Sequence, residues 1–429
     1  MRRLLVPFLL LAAAARAQEA EIAAAVDLPT PEARRKAALE LAKRTDLDIA
    51  AVLAAMRGLK PLGPSAPGTA EESAALVVEG KPEATRITVH VPAAYDPATP
   101  APLLLALHGA GGLGSQEEAR WRAVADALGM IVVAPTEAGD NAGYGFTRRE
   151  REAALAVLRW ARRRWNVDEN RIHITGVSRG GHMTWDIATR YPDLFATMSP
   201  MIGGPRLDTR AGQNNLRYVG NVTHLPIRDL QGEEDDPRMI FSIRLAFDRL
   251  KEAGAPDAKL VTFPGLGHDF RFEAVDWAAF LGSARRDPCP KRVVRLSATP
   301  HEARASWAEI TAMTREVRED VTPQVDARKW QGMDDAARRL FVAAAADKAT
   351  ARLEAEWKGP GDFAVKSSGV RAFRLLLTDE MFDPKSPVRV TWNGRAVTRK
   401  VAPSRETLLL DFVERFDRTF LPVAEQQVP

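Results

Sequence analysis

Three short stretches of this chain are continuously apolar: 103–107, 130–134 and 172–177, the last with His173 and Thr175 interleaved. Runs of that length predict strands buried on both faces of a sheet. Residues 86–91 (Arg-Ile-Thr-Val-His-Val) instead alternate polar and apolar, as an outer strand does. Between the runs, apolar residues recur at helical spacing over 117–128, 149–165, 180–190, 239–253 and 272–283. Buried strands separated by helices predict a three-layer α/β domain with a mostly parallel sheet, spanning 69–287.

The flanks read differently. Residues 18–68 form a helical leader and linker: Thr30-Pro31-Glu32 gives a start signal, and Ala38, Leu39, Leu41, Ile49, Val52 and Leu53 supply apolar faces. A Pro/Gly/Ser-rich break follows over 61–68. Beyond Pro288-Cys289-Pro290, short strand patterns dominate at 292–298, 304–311, 351–357, 362–367, 371–378 and 387–401, the last carrying the hairpin signal Asn393-Gly394. Helical interruptions fall near 333–350 and 404–416. This predicts a β-rich, sandwich-like accessory domain over 291–429, with Trp307, Trp330, Trp357 and Trp392 as core residues rather than a sugar platform.

With 429 residues, 45% hydrophobic and 27% charged, the composition excludes disorder and a disulfide-stapled mini-fold. The net charge is +4, with 47 arginines against 13 lysines. Arg162-Arg163-Arg164 suggests nucleic acid, but Ala154, Leu158, Ala161 and Trp165 at helical spacing predict a solvated helix face instead, and no nucleic-acid partner is expected. Met1-Arg2-Arg3, an apolar run over 4–15 and Ala15-Arg16-Ala17 predict a secretory signal peptide over 1–17. Its cleavage lowers the charge to +1 and places the mature chain in the periplasm or outside the cell, without stable membrane insertion. An uncleaved anchor is the alternative, although spanning a bilayer takes ~20 apolar residues. Cys289 is the only cysteine. It forms no internal disulfide, and its place between two prolines argues against a nucleophile.

Gly176-Val177-Ser178-Arg179-Gly180 matches G-x-S-x-G, with a strand pattern running into it and a helix pattern leaving it. That is the context a nucleophile elbow requires. A serine hydroxyl needs an adjacent base, itself oriented by a carboxylate. His268 closes the strand pattern 260–263 through Pro264-Gly265-Leu266-Gly267 and is the candidate base. Asp235 in Gly232-Glu233-Glu234-Asp235 is the candidate acid, with Asp236 as its rival. His108-Gly109-Ala110-Gly111-Gly112 follows an apolar strand and presents backbone N–H groups. Those of Ala110 or Gly111, with that of Arg179, are candidates for an oxyanion hole. Gly109, Gly111 and Gly114 also fit a dinucleotide fingerprint; an exported chain makes that reading the weaker one. No cofactor or metal is expected, since no H-E-x-x-H or calcium-loop pattern is present.

On HGAGG (108–112), GVSRGG (176–181), GEED (232–235) and GLGHDF (265–270), the chain resembles the α/β-hydrolase superfamily over about 75–284. Asp168-Glu169-Asn170-Arg171 and Tyr191-Pro192-Asp193-Leu194-Phe195-Ala196 make it similar to secreted polyhydroxybutyrate depolymerases and feruloyl esterases, and it also resembles prolyl-oligopeptidase-family hydrolases. The resemblance implies an α/β-hydrolase fold, a Ser178–Asp235–His268 triad and a serine esterase acting on a small-molecule or polymer-borne ester. It departs from many relatives at Gln231, where they carry histidine. The alternatives are a serine peptidase and a non-catalytic carbohydrate-adhering protein.

Overall fold

A computed structural model describes residues 18–61, 63, 66–136, 144–208 and 213–429. The expected signal peptide lies outside these residues. After helical residues 18–27 come α1 (Pro31–Ala42) and α2 (Ile49–Arg57). Thr30 caps α1 by accepting from the Ala33 N–H, and proline opens its first turn, as the sequence signal predicts.

The central sheet is built from β1 (Gly68–Val78), β2 (Lys81–Val91), β3 (Ala101–Leu107), β4 (Ile131–Thr136), β5 (Val167–Val177), β6 (Thr197–Met201), β7 (Ile227–Gly232) and β8 (Ala258–Phe263). Its spatial order is β1-β2-β4-β3-β5-β6-β7-β8. β2 runs antiparallel to both neighbours, and β4 through β8 are parallel. The crossovers carry α3 (Gly114–Leu128), α4 (Arg148–Arg164), α5 (Arg179–Arg190) and α6 (Pro237–Glu252), and α7 (Trp277–Ser283) follows β8. The continuous apolar run of β3 has a direct physical reason. Leu103, Leu105 and Leu107 pack on one face with Ile131, Val133 and Ile174, while Leu104 and Ala106 pack on the other with Trp121, Val132 and Trp277. Each fully buried leucine contributes roughly 1.5–3 kcal/mol, so neither face tolerates a polar residue there.

The helix expected over 272–283 is shorter. Residues 272–274 form one 3₁₀ turn, Val275 is extended, and Asp276 starts α7 by accepting from the Ala279 N–H.

The C-terminal region contains β9 (Arg292–Ser297), β10 (Arg304–Ala305), β11 (Ala308–Met313), α8 (Ala327–Gln331), α9 (Asp335–Lys348), β12 (Ala351–Gly359), β13 (Asp362–Ser368), β14 (Val370–Leu377), β15 (Val388–Trp392), β16 (Arg395–Arg399), α10 (Arg405–Arg415) and β17 (Ala424–Val428). Its strands form a four-stranded sheet, β10-β11-β14-β17, and a five-stranded sheet, β16-β15-β13-β12-β9. Asn393 and Gly394, both at positive φ, turn the β15–β16 hairpin. Trp307 is fully buried against Phe363, and Trp357 and Trp392 pack against the same core.

Two long-range arrangements are absent from the local sequence pattern. Ile22, Val26, Val52, Leu53 and Met56 of the leader share one core with Leu353, Phe363, Leu408 and Phe412, so the leader packs into the C-terminal region. The basic triplet is also not a solvated face. Arg162 donates to the carbonyls of Arg415 and Phe416, and Arg163 makes a two-pronged bond to Asp27 and a third to the Lys60 carbonyl. Arg164 reaches Glu72. α4 thus fastens the central sheet to both flanks, through partners the local helical pattern does not reveal.

Candidate active site

The nucleophile turn sits where β5 meets α5. Ser178 has φ 56° and ψ −115°, a strained conformation for a residue with a side chain. Neighbouring backbone holds it there: the Ser178 N–H donates to the Met201 carbonyl of β6, and the Ser178 carbonyl accepts from the His182 N–H. The start of α5 lies so close to the end of the neighbouring strand β3 that a Cβ on Gly180 would lie 2.0 Å from the Leu107 carbonyl oxygen. Only glycine fits.

The loops after β7 and β8 are joined by backbone. The Glu233 N–H donates to the Phe263 carbonyl, and the Glu234 N–H donates to that of Leu266. A Cβ on Gly232 would fall 2.0 Å from the Gly267 carbonyl oxygen, so that glycine permits the contact. This suture brings Asp235 and His268 together across 33 positions of sequence. His268 Nδ1 lies 2.8 Å from Asp235 Oδ2, and His268 Nε2 lies 2.8 Å from Ser178 Oγ. The Asp235 side chain is only 7% exposed and that of His268 52%, so the carboxylate is sheltered while the imidazole meets solvent. Asp235 Oδ1 accepts from the Asp236 N–H. Asp236 itself turns away and caps α6, accepting from the Arg238 N–H. Of the two candidate acids, the structure places Asp235 on the histidine.

The glycine-rich turn after β3 lies against the serine, since a Cβ on Gly109 would approach Ser178 Cβ to 3.4 Å. Ala110 and Gly111 are exposed in this turn, and Gly111 has φ 69°. Arg179 opens α5, where backbone N–H groups lack helical acceptors. Its side chain donates to the Tyr144 carbonyl.

The other histidines near the sheet are not equivalent to His268. His173 is buried beside Thr197, and burial pushes it down to about 3. His182 is buried on α5 with Nδ1 against the Gly204 backbone and its ring edge-on to Phe146; burial lowers it to about 4. Both are therefore neutral near pH 7. Behind the site, Asp229 accepts from Trp185 Nε1 and Gln231 Nε2, and burial raises its carboxyl to about 7. The sequence offered no local signal for this buried carboxyl. Among the described residues, no cluster of His, Cys, Asp or Glu is arranged to hold a metal ion.

A sheet whose first strands are antiparallel and whose remaining strands run β4-β3-β5-β6-β7-β8 in parallel, with a nucleophile turn after β5, an acid after β7 and a histidine after β8, decides the architecture. The chain has the α/β-hydrolase fold. No protein-family model matches it. It is 35% identical over 129 residues to poly(3-hydroxyalkanoate) depolymerase C of Paucimonas lemoignei, covering 27% of this chain and 30% of that protein. It is 26% identical over 123 residues to a bifunctional acetylxylan esterase/xylanase of Neocallimastix patriciarum, covering 27% of this chain and 18% of that one. The chain thus spans less than a third of the length of these curated relatives. A solved S-formylglutathione hydrolase from Agrobacterium tumefaciens is 18% identical with a TM-score of 0.40, over 51% of this chain and 94% of that one. The Cys289 thiol is free and half-buried beside Met381, and burial pushes it up to about 11. Among the described residues, no helix is long and apolar enough to cross a membrane.

Proposed function

We propose that this α/β-hydrolase is an exported serine hydrolase that cleaves carboxylic esters through an acyl-enzyme. The observation that carries the reading is the hydrogen-bond chain from Ser178 Oγ through His268 to Asp235, at 2.8 Å for each link. His268 Nε2 takes the Ser178 proton as Oγ attacks the ester carbonyl carbon. Asp235 holds the ring by accepting from Nδ1–H and stabilises the imidazolium. His268 then returns the proton to the leaving alcohol oxygen as its bond to the acyl carbon breaks. Water, activated by the same imidazole, releases the acid and restores the serine. The N–H groups of Ala110 or Gly111 and of Arg179 are the candidates to stabilise the carbonyl oxygen as it gains charge; one such donor is worth about 10²–10³ in rate. Two relatives, a poly(3-hydroxyalkanoate) depolymerase and a bifunctional acetylxylan esterase/xylanase, support an ester substrate.

The test is a panel of nitrophenyl esters, feruloyl esters and peptide amides, turned over by wild type and Ser178→Ala. Loss of the nucleophile should lower kcat by up to ~10⁶. Ester turnover that survives the substitution would sink the mechanism, and amide cleavage without ester turnover would replace the substrate class. Export is read from the signal peptide expected over 1–17; a mature protein whose mass corresponds to a chain starting at Gln18 is the expected result.

A further inference from the structure

An open groove of about 640 Å³ lies next to the triad acid, between α6 and α9. Its wall consists of Glu233, Glu234 and Asp235 of the acid loop, one face of α6, and Leu340 of α9. The α6 face is the stripe Ile240, Phe241, Arg244, Leu245 and Asp248, at helical spacing. α6 buries Ser242, Ile243, Ala246 and Leu250 against the sheet side, so this second stripe is left half-covered. Two contacts hold α9 across it: the Arg339 guanidinium lies 5.6 Å from the Phe241 ring centre, and Arg249 pairs with Asp347. Leu340 is 51% exposed; among the described residues, Leu113 is the only other exposed large hydrophobic side chain. The groove therefore has an apolar floor and an anionic rim: among its lining residues Arg244 stands against Glu233, Glu234 and Asp248, while the Asp235 carboxylate is held by His268 and Arg339 lies over the Phe241 ring.

Position assigns the groove to one side of the substrate. His268 Nε2 must reach the leaving oxygen, so the alcohol portion lies on the histidine side of the scissile bond. Asp235 touches His268 with Oδ2 and also lines the groove, so a leaving group that extends past the imidazole runs toward it. We propose that this groove takes the alcohol portion of the ester, and that the portion it fits is an apolar chain carrying a cationic group. The C-terminal region thereby supplies a specificity determinant, Leu340. The inference rests on the ester-hydrolase reading above.

The experiment uses the full chain and three butyrate esters. One is short and neutral, one carries a trimethylammonium group at the end of an alkyl alcohol, and one is its tert-butyl isostere, with carbon in place of nitrogen. Wild type should favour the cationic ester over its isostere by roughly tenfold in kcat/KM, through KM, and added salt should erode the ratio. The triple variant Glu233→Gln, Glu234→Gln, Asp248→Asn should bring the ratio to one, and Asp248→Asn alone, on α6 outside the acid loop, should lower the ratio while leaving the short ester unchanged. Leu340→Ser should raise KM for both long esters equally and not for the short one. A wild-type ratio of one, a ratio that survives the triple variant, or an Asp248→Asn or Leu340→Ser variant that slows all three esters alike would overturn the groove while leaving the esterase standing. Failure of wild type to hydrolyse any of the esters would overturn both.

Discussion

Two constellations of charge in this molecule use similar residues to opposite ends. At the candidate active site, Asp235 and His268 form a single file that ends on Ser178, with the imidazole half exposed. Between the central sheet and the C-terminal region, Arg151 and Arg190 each bond both Asp186 and Glu302, with all four side chains at most 5% exposed. Asn215 adds an amide donor to Asp186. Burial works against charge on Glu302, yet Arg190 and Arg151 hold its carboxyl below the ordinary glutamate range. The buried square is balanced and closed, with nothing to offer a substrate. The open file ends on an oxygen atom free to react. Substitutions should separate the two: damage to the file appears in rate, damage to the square in stability.

The largest expected effect is Asp235→Asn. It keeps the shape but replaces an acceptor-only group, so the imidazole loses the partner that fixes its tautomer. By comparison with the serine-protease triad, kcat should fall about 10⁴-fold with little change in denaturation midpoint. A loss below tenfold in steady-state ester hydrolysis would show that Asp235 does not orient His268.

Next is Glu302→Ala, which leaves Arg151 and Arg190 buried with Asp186 as their one shared carboxylate. Removing one member of such a buried group costs about 3–5 kcal/mol. Urea unfolding should show that loss, while kcat per folded molecule stays near the wild-type value. Equal losses in both measurements would mean that the two constellations are coupled through α5, which carries Ser178 at one end and Arg190 at the other.

The contrast also explains what the sequence discloses. Each member of the file ends or follows its own strand in a compact signal, GVSRGG, GEED or GLGHDF, because each must be exposed at a turn where small residues are required. The buried strands are equally plain, since a run such as 103–107 is apolar at every position. The square has no such marker. Arg151 and Glu302 are 151 positions apart, and neither has a patterned neighbourhood. The same holds for Arg162, which by helical spacing belongs on a solvated face and instead meets backbone carbonyls more than 250 positions away. Partnered burial of arginine depends on tertiary structure, and local periodicity cannot distinguish it from exposure. The α6–α9 groove was hidden for a related reason, as its two walls lie in different regions of the chain.

A third substitution tests a charge that belongs to neither group. Among the described residues, buried Asp229 has side-chain donors in Trp185 and Gln231 alone, and burial raises its carboxyl to about 7. An unfolded aspartate titrates near 4, so between about pH 4 and 7 the folded state binds more protons than the unfolded one. Stability contributed by this group is thus full below about pH 4 and is lost as pH rises through 7, at up to roughly 1.4 kcal/mol per pH unit. Asp229→Asn should remove that slope from the pH dependence of the urea midpoint. An unchanged slope would assign it to other groups.

The smallest effect sharpens the comparison most, because it concerns the next residue after Asp235, the candidate acid. Asp236 bonds no part of the file through its side chain; it caps α6 by accepting from the Arg238 N–H at 2.7 Å. Its backbone N–H donates to Asp235 Oδ1, a bond that any residue except proline preserves. Asp236→Ala should therefore cost only the cap, about 1 kcal/mol in urea unfolding. The kcat should stay within twofold of wild type, beside the 10⁴-fold loss expected one position earlier. A large fall in kcat for Asp236→Ala would mean that the capped turn, and not the Asp235 carboxylate alone, sets the direction of the imidazole. The suture of the Glu233 and Glu234 N–H groups to the Phe263 and Leu266 carbonyls would then have to depend on that cap, although its bonds are made entirely by backbone.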